Sequence, residues 1–86
     1  MSTTPLTLDR AQDAVRRITA EILELDDIRL DDNLLELGVD SLVATRIVAA
    51  LRTELQLDIP LLNVFESPEV GEFAESLLEL DPDAEV

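Results

Sequence analysis

The chain has 86 residues, a formal net charge of -14 from 20 carboxylates against six arginines, and 47% apolar residues, of which only Phe65 and Phe73 are aromatic. Such a field repels nucleic-acid phosphates and anionic membrane surfaces and draws basic protein surfaces, which excludes nucleic acid and membrane as partners. Having no Cys, His or Lys, the chain offers no disulfide framework, no thiolate metal site and no base to activate a serine nucleophile, which excludes a hydrolase.

A chain this short buries roughly 60% of its unfolded surface, so a thin core must be shared among its elements. A core rich in Leu, Ile, Val and Ala predicts the all-α class, as in small helical bundles. One domain is expected over residues 1–86, packed over about 7–80, with Ser2 in a loose N-terminal tail. No apolar run approaches the roughly 18 to 20 residues that span a bilayer. Residues 1–5 have neither the basic start nor the apolar run of a signal peptide, which places the protein in the cytoplasm. Arginine without lysine, with abundant Leu, Ala and Asp, points to a GC-rich bacterial genome. Self-repulsion of the charge favours a monomer.

The first helix is expected over residues 8–25, where Leu8, Ala11, Val15, Ile18, Ile22 and Leu25 recur at three- and four-residue steps. Thr7 caps it and Asp9 favours its positive end. Across residues 26–33 the period breaks into turn-forming residues, while Ile28, Leu30, Leu34, Leu35 and Leu37 can tuck inward, so a long, pinned loop follows. The second helix starts at Asp40 or Ser41 and runs to about Leu57. Its core face is Ala44, Ile47, Val48, Leu51 and Leu55; its displayed face is Leu42, Thr45, Arg46, Ala49, Arg52 and Thr53. Pro60 opens a short third helix through Leu61, Leu62, Val64 and Phe65, since proline loses nothing at a first-turn position. Ser67, Pro68 and Glu69 repeat that start signal for a fourth helix with a stripe of Val70, Phe73, Ala74, Leu77 and Leu78. The acidic, proline-broken residues 81–86 are expected to be disordered.

Among the serines, Ser2 is in the tail, Ser67 has a capping job and Ser76 sits beside Glu75 and Glu79; only Ser41 joins a preceding Gly turn to a helix N-terminus. As an isolated pair, Asp40 and Ser41 would read as a plain helix cap. A phosphate ester on the Ser41 hydroxyl would meet unpaired helix N–H groups and the positive end of the macrodipole, so the position suits modification by another enzyme. Leu42 adds an exposed apolar spot beside it.

The segment Leu37-Gly38-Val39-Asp40-Ser41-Leu42, followed by Ala44-Thr45-Arg46-Ile47-Val48 and by Ile59-Pro60-Leu61 through Val64-Phe65-Glu66-Ser67-Pro68-Glu69-Val70, resembles the carrier proteins of fatty-acid, polyketide and nonribosomal-peptide synthesis. The match spans roughly residues 15–78. The resemblance implies a four-helix bundle with a short third helix, and 4'-phosphopantetheine on Ser41, delivered from coenzyme A by a Mg-dependent phosphopantetheinyl transferase. It also implies that Asp40 lies near the transferase's metal. Cargo would then be held as a thioester, loaded by an adenylating or acyl-transferring enzyme and passed to downstream synthase or tailoring enzymes. The carrier itself catalyses nothing and holds no metal.

Residues 44–46 and the stretch from Ile59 to Pro68 resemble peptidyl (aminoacyl) carriers, whereas Val39 stands where those usually have a second glycine, and Gly-Val-Asp-Ser-Leu looks equally like a polyketide carrier. The expectation is a free-standing aminoacyl or peptidyl carrier of a nonribosomal-peptide or hybrid polyketide pathway, with a discrete polyketide or fatty-acid type acyl carrier as the alternative. Leu42, Thr45, Arg46 and Ala49, extended by Leu62 and Val64, form the expected partner-reading surface, where Arg46 rejects wrong partners by charge. Two rivals come from other classes. One is a metal module built on the acids between Asp26 and Asp40, whose spacing does not fit a calcium loop. The other is an acidic helical adaptor with no prosthetic group, for which Ser41→Ala would be silent.

Overall fold

In the computed structural model, which describes residues 5–82 and 84, the helices are α1 (Leu8–Leu23), α2 (Ser41–Leu55), α3 (Leu62–Glu66) and α4 (Val70–Leu80). The expected all-α architecture with a short third helix and a long first loop is what the chain adopts. The described residues contain no strand beyond a single antiparallel bridge between Asn33 and Glu69.

α1 begins where Thr7 Oγ1 accepts the Arg10 N–H at 3.2 Å. It ends two residues before Leu25, because Glu24 turns left-handed at φ 58° and the Leu25 N–H returns to the Ala20 carbonyl. Leu8 and Leu25, expected in the buried stripe, are therefore exposed at its two ends, while Ala11, Ala14, Val15, Ile18 and Thr19 are buried. α2 also stops early, at a left-handed Gln56, and buries Ala44, Ile47, Val48 and Leu51. α1 packs on both α2 and α4, whereas α3 leans on α4.

The loop between α1 and α2 is pinned along its length, as its sequence implied. Arg16 Nε donates to the Ile28 carbonyl at 2.6 Å, and the Arg29 N–H donates to Asp32 Oδ2 at 2.8 Å. Its far half is stitched to the entry of α4: the Leu34 N–H reaches the Pro68 carbonyl at 2.8 Å, the Val70 N–H reaches the Asp32 carbonyl at 2.9 Å and the Gly71 N–H reaches the Leu30 carbonyl at 2.8 Å. Gly71 suits that approach, since a Cβ there would lie 3.2 Å from the Leu30 oxygen. Ile28 and Leu34 are buried by this stitching; Leu30 and Leu35, also expected inside, stay exposed. At Leu30 it is the backbone that faces α4, which turns the side chain outward.

The start of α4 differs from expectation. Its N-cap is Glu69, with no side-chain capping bond, and Ser67 instead closes α3 by donating its N–H to the Asn63 carbonyl at 3.0 Å. The carbonyls of Asp32 and Leu30 take the first-turn N–H groups of Val70 and Gly71, so no serine cap is required. Val70, Phe73, Ala74 and Leu77 are fully buried, as their spacing predicts.

Packing continues past the expected ends at both termini. Leu6 is buried and its N–H donates to Asp81 Oδ2 at 3.3 Å. Ala84 packs against the core and its N–H meets the Asp81 carbonyl at 3.1 Å, so residues 81, 82 and 84 of the expected disordered tail form a turn. Ser2 and residues 83, 85 and 86 lie outside the described residues. No helix among the described residues is long and apolar enough to cross a membrane.

Candidate functional site

The chain enters α2 through a tight reversal. The Val39 N–H donates to the Leu34 carbonyl at 3.1 Å and the Gly38 N–H to the Leu35 carbonyl at 3.2 Å. Gly38 sits at φ +102°, a conformation L side chains rarely adopt, and nothing lies within 4 Å of where its Cβ would be. The glycine is thus required by backbone geometry and not by space. The turn drops Val39 into the core, 4% exposed, and brings Asp40 back out. Val39 consequently reports packing beneath the site, so its departure from a second glycine changes no displayed surface.

Asp40 has extended backbone, and its Oδ1 accepts the Val43 N–H at 2.9 Å. Its carbonyl accepts the Ala44 N–H at 2.8 Å. Of the two candidate caps it is Asp40 that caps, which leaves Ser41 as the first helical residue. Ser41 is exposed, its carbonyl is taken by the Thr45 hydroxyl at 2.8 Å, and its own hydroxyl bonds to none of the described residues. The N–H groups of Ser41 and Leu42 precede the first helical acceptor and point out of the helix end. A phosphate ester on Ser41 Oγ fits this setting: the oxygen is free, the surroundings are open, and unpaired amides with the positive helix end favour an anion.

Leu42, Thr45, Arg46 and Ala49 all lie exposed on α2, Leu42 at 72%. Arg46 has no ion pair among the described residues, whereas Arg16, Arg17, Arg29 and Arg52 pair with Asp27, Glu54, Asp31 and Asp58. Leu62 is 59% exposed, as expected for the surface. Val64 is fully buried and must be removed from it. The two are separated by about 200° around a helix axis, so they cannot share an outward face. The neighbours of Leu62 on the open side are Leu61 and, one turn on, Phe65, both partly exposed and absent from the expected surface. Their signal was the i, i+3 spacing of Leu62 and Phe65 in a helix too short to bury both sides.

Away from Ser41, the Arg17 guanidinium hydrogen-bonds both Glu54 carboxylate oxygens and joins α1 to α2. That bond holds the Glu54 carboxyl below the usual glutamate range and raises Arg17. Of the loop acids weighed as metal ligands, Asp27 is held by Arg16, Asp31 by Arg29 and Asp32 by the Arg29 amide, and no group of three or more acids among the described residues is placed to hold a metal ion. A hollow of about 450 Å³ between α1 and the following loop is open to solvent, and Ser41 does not line it.

Ser41 thus presents an exposed serine hydroxyl at the first position of α2, after the Asp40 cap. The chain belongs to the phosphopantetheine attachment site family, whose model matches residues 13–77. It is a non-catalytic carrier domain, with covalent 4'-phosphopantetheine as its prosthetic group. It is 36% identical over 75 residues to phosphinothricin tripeptide synthetase PhsB of Streptomyces viridochromogenes, a match covering 87% of this chain and 6% of that protein. It is 40% identical over 62 residues to malpibaldin synthetase of Mortierella alpina, covering 72% of this chain and 1% of the relative. The chain therefore spans a small fraction of the curated relatives it matches. Among solved structures, a nonribosomal PCP domain superposes with a TM-score of 0.70 at 27% identity over 98% of this chain and all of its own. BlmI, a type-II acyl carrier protein of Streptomyces verticillus, shares the fold with a TM-score of 0.76 at 17% identity, covering 80% of this chain and 83% of BlmI.

Proposed function

We propose that Ser41 is the attachment residue and that the protein holds an aminoacyl or peptidyl group for enzymes of a nonribosomal-peptide or hybrid polyketide pathway in a bacterial cytoplasm. The observation that carries this reading is the exposed, unpartnered Ser41 hydroxyl at the first position of α2, directly after the Asp40 cap. When bound, the prosthetic group supplies a flexible arm ending in a thiol that takes cargo as a thioester. The residues of this chain do the rest by presentation. Gly38 and Val39 fix the angle at which α2 leaves the loop, Asp40 holds the first turn, and the free amides of Ser41 and Leu42 favour the phosphate.

A phosphopantetheinyl transferase, a loading enzyme and downstream synthase enzymes dock, in this reading, on Leu42, Thr45, Arg46 and Ala49 of α2 together with Leu61, Leu62 and Phe65. Once cargo is tethered, its delivery is effectively intramolecular, so a weak and rapidly reversible contact suffices. Arg46, an unpaired cation in an acidic surface, discriminates among partners by charge. Arg46→Glu is expected to change the relative loading rates of a panel of adenylating enzymes.

The deciding experiment is intact mass after incubation with coenzyme A, Mg and a broad-specificity phosphopantetheinyl transferase. Wild type gains one phosphopantetheine and Ser41→Ala gains none. Wild type left unmodified while a known carrier is labelled in the same tube overturns the assignment.

A further inference from the structure

We infer that Asn63 and Ser76 form a positioning pair that sets the attitude of α3, and with it the docking edge made by Leu62 and Phe65. The inference rests on the reading of α2 and α3 as the docking face. α3 has only five residues, well short of the roughly 12 to 15 at which isolated helices become even marginally stable, so its position is decided by tertiary contacts. Its N-cap Leu61 makes no side-chain capping bond. The first turn is closed by short-range bonds from the Asn63 N–H to the Pro60 carbonyl and from the Val64 N–H to the Leu61 carbonyl, each 3.1 Å. Within the helix Val64 alone is fully buried. One apolar anchor fixes depth but resists rolling weakly, because dispersion contacts have no direction.

Directional bonds supply what Val64 lacks. At the entry, Arg52 of α2 donates from Nε and Nη2 to the Ile59 carbonyl at 3.1 and 2.9 Å, with Ile59 fully buried. In the middle, Asn63 Nδ2 donates to Ser76 Oγ of α4 at 3.3 Å, and Ser76 Oγ donates onward to the Phe73 carbonyl at 2.6 Å. The proton of Ser76 is thus committed to Phe73, which leaves its lone pairs for Asn63 and gives the relay one polarity. It ends on Phe73, whose side chain is fully buried, so α3 is referenced to a fixed part of the core. Asn63 also accepts the Ser67 N–H through its carbonyl, so the residue that clamps α3 to α4 also closes α3. Leu62 and Phe65 flank this clamp on the open side. Loss of the relay leaves both side chains in place but no longer preoriented, and the cost falls on association.

The test uses the whole chain as the protein substrate of a broad-specificity phosphopantetheinyl transferase with fluorescent coenzyme A. The variants are Asn63→Ala, Ser76→Ala, their double, Ser76→Thr, and Leu62→Ala as a control for the face. KM and kcat for the carrier are measured beside amide hydrogen exchange across residues 62–67, with α1 amides as the folding reference. Each single alanine variant should speed α3 exchange and raise KM about fivefold at unchanged kcat, the double should be no worse than either single, and Ser76→Thr should behave as wild type. Unchanged α3 exchange overturns the inference. So does multiplication of the effects in the double, or an unchanged KM for Asn63→Ala where Leu62→Ala raises it. An unchanged KM for Leu62→Ala instead overturns the docking face itself, and the inference with it.

Discussion

Thr19 is fully buried on α1, and its hydroxyl has no partner among the described residues. A buried polar group left unpaired costs about 1–3 kcal/mol, and an apolar side chain of the same shape removes that cost. Thr19→Val is expected to raise the unfolding free energy by about 1 kcal/mol, read as a higher urea midpoint at unchanged slope. Asp40 offers the converse case, in which one carboxylate serves the fold and faces the site. Asp40→Ala should cost about 1 kcal/mol through the lost cap, while Asp40→Asn keeps stability within a few tenths. Transferase rates on the Asn variant then isolate the role of the negative charge, with equal rates for Asn and wild type ruling that role out. At this scale the Gly-x-Asp-Ser order identified the turn, the cap region and the hydroxyl. Which of Asp40 and Ser41 caps was settled only by the backbone angles of Asp40.

Arg17 and Glu54 tie α1 to α2, and the hydrogen bond from Arg17 holds the Glu54 carboxyl below its usual range. A carboxylate whose folded pKa is depressed contributes stability that is complete above its unfolded value, about 4.3, and is lost as pH falls through the folded value. Both side chains are more than a third exposed, 43% for Arg17 and 36% for Glu54, so solvent screening limits the pair to about 0.5 kcal/mol. Glu54→Gln should therefore cost about that much at pH 7 and progressively less as pH falls below the unfolded value, measured as paired urea curves across the range. Among the elements, the helices with a clean stripe were legible from periodicity. The start of α4 was not, because the loop carbonyls of Leu30 and Asp32 do the accepting work that a Ser67 cap would have done. The side of α3 that faces out was also hidden, since a helix of five residues has too few positions to define a stripe.

Charge is the property that acts over the whole molecule. With a net charge of -14, the folded chain repels itself and attracts basic partners, and salt screens both effects. Raising NaCl from about 10 mM to about 500 mM is expected to raise the thermal midpoint of the isolated carrier while slowing its association with a basic partner surface by about tenfold or more. Salt that slowed association without raising the midpoint would show that self-repulsion is not significant in the folded state.

Composition, charge and short-range spacing were enough to determine an all-α chain, four helical segments and a serine at the start of the second, because each depends on residues within a turn or two of one another. Tertiary structure decided how the long loop is stitched to α4, that Val64 turns in while Phe65 and Leu61 turn out, and that Leu6 joins the core with Ala84 packed against it. Those outcomes depend on contacts between residues far apart in the chain, where a backbone bond such as Gly71 to Leu30 competes with local propensity and wins by burying the groups around it.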